Sequence, residues 1–66
     1  MATLGEEFPK EQARVRELLG DYKRLGPNGA FGALMLEQVL RRADLAVMSG
    51  DVVAMLRSFT ELKECQ

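Results

Sequence analysis

The sequence contains no histidine, no tryptophan and a single cysteine, Cys65. One cysteine makes no internal disulfide, and one thiol without imidazole leaves the usual zinc ligand sets unfilled. Without histidine, a serine or cysteine nucleophile would need lysine or a carboxylate as its base. Neither sign of charge is in excess: nine basic residues stand against ten acidic ones. The balance holds along the chain, so bulk charge leaves no electrostatic footprint for nucleic acid. Long apolar runs are missing as well. The longest, Ala30 to Leu36 with Gly32 inside it, falls far short of the ~20 residues that span a bilayer. The opening residues Met1 to Glu7 have neither the basic nor the apolar region of a signal peptide. These absences set the expectation of a cytoplasmic protein with no membrane segment, no cofactor and no metal.

What is present is an apolar share of 47% in only 66 residues. That composition is globular and far from the disordered range. A chain this short buries only about 60% of its unfolded surface, so a lone copy has a marginal core. Tight helix packing, self-association or a partner must make up the difference.

Two turn signals, Gly26-Pro27-Asn28-Gly29 and Ser49-Gly50-Asp51, divide the chain, and the apolar residues between them recur at helical spacing. The first segment is expected to be helical over about 9–25. Val15, Leu18, Leu19, Tyr22 and Leu25 share one face. Pro9 suits a first turn, with Phe8 stapling back onto it. Gly20 is the weak point, since a mid-helix glycine costs about 1 kcal/mol against alanine. The apolar phase nevertheless runs on through it, which favours one helix. The second segment spans about 30–49, with Asn28 as expected N-cap. Leu36, Val39, Leu40, Ala43 and Val47 form a stripe, which Phe31, Leu34, Met35, Leu45 and Met48 broaden. Glu37 and Arg41 stand at i, i+4 in the favourable order. The third segment runs over about 52–63 behind Asp51 as N-cap and Gly50 as the preceding C′ residue. Val52, Met55, Leu56, Phe59 and Leu62 share a face, and Arg57 and Glu61 stand at i, i+4. Residues 1–7 and 64–66 are expected to fray. No segment shows the period-two alternation of a strand. The short loops imply antiparallel neighbours, hence an all-α, up-down-up three-helix unit in a single domain over 1–66.

Chemistry-bearing groupings are sparse. The close acidic pairs Glu6-Glu7 and Glu61-Glu64 lie near the chain ends and read as solvated surface. Cys65 reads as a free terminal thiol in a reducing compartment. The glycines of 26–32 lack the Lys-Ser/Thr of a phosphate-binding loop and have no strand before them. Helices two and three superficially match a helix-turn-helix. The would-be recognition helix, however, opens Asp51-Val52-Val53-Ala54-Met55, an acid and apolar residues where base and phosphate contacts belong. The expectation is therefore a protein without catalytic residues.

Helix two carries more apolar positions than a three-helix unit uses, and methionines there adapt to varied partner shapes. Phe31, Leu34, Met35 and Met48 are expected to form an association surface, with Gly32 and Ala33 permitting close approach of a second copy. The alternative is an oligomeric DNA-binding regulator in which Arg41, Arg42 and Arg57 combine into a basic strip.

Three stretches, Phe31 to Gln38, Arg42-Ala43-Asp44 and Ser49 to Arg57, resemble small helical proteins encoded by tailed phages and prophages. The resemblance covers about residues 20–66 and carries no catalytic motif. It implies a soluble accessory protein made in the bacterial cytoplasm that binds and modulates a host protein. The stretch from Ala43 to Glu61, with its Gly50-Asp51 turn, is similar to the junction between successive tetratricopeptide helices, which implies an antiparallel helix pair. The resulting expectation is a small interaction protein acting on a bacterial host protein and forming a homo-oligomer, with a dimer as first guess.

Overall fold

The computed structural model describes residues 3–66. Helix α1 spans Leu4–Arg24, a 3-10 turn spans Gly26–Gly29, α2 spans Ala30–Ser49 and α3 spans Val52–Glu64. Among the described residues there is no strand. The fold is all-α, with three helices that all touch one another. Lys23 pairs with Glu37 and Arg16 with Asp44, which sets α1 antiparallel to α2.

Helix α1 begins earlier than the expected residue 9. Thr3 caps it, its hydroxyl accepting the Glu6 backbone N–H at 3.2 Å. Thr3-Leu4-Gly5-Glu6 has the spacing of a capping box, and Glu6 and Glu7 lie in the first turn, where the helix dipole favours acids. Residues 4–7 are therefore helical rather than frayed; Met1 and Ala2 lie outside the described residues. Pro9 consequently sits inside the helix. Its missing N–H leaves the Gly5 carbonyl without its i+4 donor, at a residue that is exposed. The early start places Leu4 and Phe8 on one face, and Phe8 does more than staple a turn. It is 1% exposed, with its ring 6.2 Å from that of Phe59. At Gly20 the helix runs on unbroken, and no neighbouring backbone approaches closely there.

Between α1 and α2, Gly26 takes the left-handed conformation at φ 65°, as a C′ glycine does. The expected Asn28 N-cap is not formed. Asn28 lies within the 3-10 turn, and Gly29 holds the cap position with no side-chain hydrogen bond. The next junction matches expectation: Gly50 is left-handed and the Asp51 carboxylate accepts the Ala54 N–H at 3.1 Å.

The core is built from Phe8, Val15, Leu36, Val39, Leu40, Ala43 and Leu62, with Leu18, Leu19, Tyr22, Met55 and Phe59 packed against it. Four residues depart from the expected faces. Val47 is exposed and Ala46 is buried in its place on α2. On α3, Val52 and Leu56 point outward, while Ser58 turns inward beside Leu62. Leu25, at the last turn of α1, is exposed too. The expected i, i+4 ion pairs are also replaced by pairs between helices: Glu37 bonds Lys23 at 3.2 Å and Glu61 bonds Arg42 at 2.7 Å. A partner across a groove reaches these carboxylates more directly than one along the same helix.

Helix α3 is held at its C-terminal end by Arg14. Its guanidinium donates to the Leu62 and Cys65 carbonyls at 2.6 and 3.0 Å, and to Glu11 at 3.0 Å. A cation at these C-terminal carbonyls complements the helix dipole. The Tyr22 hydroxyl donates to the Gln66 carbonyl. These contacts order the C-terminal turn, and α3 extends through Glu64 rather than fraying there.

Candidate functional site

Helix α2 has two apolar faces. Ala33, Leu36, Val39, Leu40, Ala43 and Ala46 face α1 and α3 and are buried. At 100° per residue the opposite face carries Phe31, Leu34, Gln38, Arg41, Leu45 and Met48. Phe31 is 75% exposed and Met48 82%, and Leu34 and Leu45 are each more than half exposed. Met35 lies on the flank of this face and is also exposed. Four of the six expected association residues, Phe31, Leu34, Met35 and Met48, are thus presented to solvent by one helix. Leu45, one of the residues that broaden the apolar stripe of this helix, belongs with them.

Gly32 and Ala33 are taken up inside the chain. A Cβ added at Gly32 would stand 2.6 Å from two carbons of the Tyr22 ring. One added at Gly29 would stand 2.1 Å from the Tyr22 carbonyl oxygen. Ala33 is buried. The small residues at the start of α2 let the end of α1 come close, so the approach they permit is intramolecular.

Charged residues flank the outward face, and the structure pairs them internally. Lys23 on α1 holds Glu37. Asp44 accepts from Arg16 at 2.9 and 3.0 Å and from the Gln12 amide at 2.9 Å. On the other flank Arg42 makes a two-toothed contact with Glu61, at 3.2 and 2.7 Å. That hydrogen bond raises the Arg42 pKa further above its already high ordinary value, against the opposing effect of burial.

The three arginines of the nucleic-acid alternative are not collected on one surface. Arg41 lines a groove of about 410 Å³ between α1 and α2, beside Arg16 and Lys23 but also Glu37 and Asp44. Arg42 and Arg57 line a second groove of about 360 Å³ between α2 and α3, with Asp51 and Glu61 in the same wall. Each cationic group therefore lies close to acidic ones. Among the described residues no cluster of His, Cys, Asp and Glu is placed to hold a metal ion, and no helix is long and apolar enough to cross a membrane. Cys65 is half-buried, its thiol donating to the Glu61 carbonyl at 3.3 Å. Burial pushes this thiol up, helped by Glu61 and Glu64 and opposed by Arg14.

Comparison of the chain with protein families, curated proteins and solved structures finds no match. The surface is therefore read from its own geometry.

Proposed function

We propose that this protein is a small helical interaction protein that works by binding another protein through the outward face of α2, and not by catalysis. The observation that carries the reading is the row of exposed apolar side chains on that helix, Phe31, Leu34, Leu45 and Met48, with Met35 beside them. Large apolar side chains left in water together on one helix face mark association sites. The flanking charges are already paired within the chain, so covering the face strands none of them. The setting we propose with it is that of a phage or prophage accessory protein in the bacterial cytoplasm that self-associates and modulates a host protein.

The test is the solution mass of the purified protein by light scattering. The wild type is expected above the monomer mass, and Leu34→Lys is expected to lower that mass while circular dichroism shows unchanged helicity. A monomeric wild type, or a variant with unaltered mass, would overturn the self-association reading.

A further inference from the structure

The outward residues of α2 recur at 31, 34, 38, 41, 45 and 48. The spacing is three, four, three, four, three. That is the heptad seam of a coiled coil, in which alternate apolar positions insert between those of a facing helix. Here the seam lies on the side of α2 turned away from α1 and α3, so no helix of the same chain covers it. Its contents are Phe31, Leu34, Gln38, Arg41, Leu45 and Met48: two apolar layers, two polar layers, two apolar layers.

We infer that a second copy of this chain covers the seam, with the two α2 helices antiparallel and the twofold axis between residues 39 and 40. This rests on the reading of α2 as an association face and adds the occupant, direction and register. In that register Phe31 meets the partner's Met48, Leu34 meets the partner's Leu45, and Gln38 meets the partner's Arg41. Each apolar residue faces an apolar one. The Gln38 side-chain carbonyl faces a guanidinium that donates to it. Symmetry repeats every contact, as a twofold interface requires.

The alternatives are worse on the same residues. A parallel pair with matched register sets Arg41 against the partner's Arg41, a like-charge contact at the centre of the seam. An antiparallel pair shifted by one heptad in either direction places Phe31 or Met48 against a polar residue and leaves two apolar residues uncovered. The charged residues flanking the seam, Glu37, Asp44 and Arg42, are held by Lys23, Arg16 and Glu61. They add no unpaired charge to the contact, so the central polar layer decides the direction. Polar positions in an otherwise apolar seam are a known way to specify register at some expense of stability.

Cysteine cross-linking reads the direction. On a Cys65→Ser background, Leu34→Cys and Leu45→Cys are prepared separately and oxidised alone and as a mixture, with the mass measured by light scattering beforehand. At 1.5 Å rise per residue, the two copies of residue 34 are offset by about 16 Å along the antiparallel pair, too far for a disulfide. A covalent dimer is therefore expected from the mixture and from neither variant alone. A covalent dimer from either single variant would show parallel helices and refute the proposal. No covalent dimer in any sample, with dimer mass in solution, would place the interface elsewhere and refute it as well. A monomer mass for the parent protein would instead remove the association reading beneath it. Gln38→Glu gives a second readout. In the antiparallel pair it sets a carboxylate against the partner's Arg41 twice, and association tightens several-fold at low salt. In a parallel pair the two new carboxylates face each other and association weakens.

Discussion

Replacing Phe8 with alanine tests whether the first two turns of α1 belong to the core. Phe8 is 1% exposed and its ring stacks on Phe59 at an interplanar angle of 25°. Deleting such a ring removes its burial and leaves a cavity, a loss of about 3–5 kcal/mol. A single core in a chain of this size supplies only about 3–5 kcal/mol of net stability. The substitution therefore consumes most or all of it. At a urea dependence of about 1 kcal/mol per molar, the midpoint falls by about 3 M or more, so the variant is largely unfolded without denaturant. Phe31→Ala removes the same ring from a site that is 75% exposed. Its expected cost is within about 0.5 kcal/mol when both proteins are measured in the dilute, monomeric range. Urea titration followed by far-ultraviolet circular dichroism compares the two. If Phe8→Ala keeps a midpoint within about 0.5 M of wild type, or if Phe31→Ala is the more damaging, the placement of Phe8 at the centre of the core is wrong.

Two glycine substitutions on different helices should move stability in opposite directions. Gly20→Ala meets only the flexible end of Arg24 at 3.8 Å and should stabilise by about 0.5–1 kcal/mol, the ordinary helix-propensity gain. Gly32→Ala collides with the Tyr22 ring and should cost about 1–3 kcal/mol, as overpacking does. Adding Tyr22→Ala should recover that part of the loss in a double-mutant cycle, and additive losses would refute the contact. The Cys65 thiol, pushed up by burial, should alkylate more slowly in the native protein than in urea at the same pH. Because the unfolded chain gives up this proton first, the thiol's contribution to stability is intact below the ordinary thiol pKa. It is lost as pH rises through the folded value. Cys65→Ser should flatten that decline; an identical alkaline profile in the variant would assign the decline to other groups.

Much of the architecture was legible along the chain because the signals are local. Gly26, Gly50 and Asp51 act through their own φ angles and nearest N–H groups, so reading residues one at a time finds them. The start of α1 was equally local and was overlooked: Thr3 and Glu6 carry the capping spacing, but Pro9 drew the boundary toward itself. The faces of α2 and α3 were harder. Periodicity groups Val47 with Leu36 and Leu40, and Leu56 with Phe59, yet Ala46 and Ser58 are buried while Val47 and Leu56 are exposed. Which residues of a helix are covered depends on where the other two helices sit. The ion pairs failed for the same reason. Glu37–Arg41 and Arg57–Glu61 are sound pairs on isolated helices, yet Lys23 and Arg42 reach the same carboxylates across grooves that exist only after packing.

The candidate surface divides along the same line. An apolar share of 47% in so short a chain leaves apolar residues outside the core, since burial area is limited by the surface-to-volume ratio, and their order along the chain concentrates them on helix two. Which apolar residues stay outside is a property of three helices at once. Packing committed Ala33 and Gly32 to α1, turned Leu45 outward with Phe31, Leu34 and Met48, and paired the flanking charges. One-dimensional order sets how many apolar side chains the chain carries; the relative placement of the helices sets which of them stay exposed.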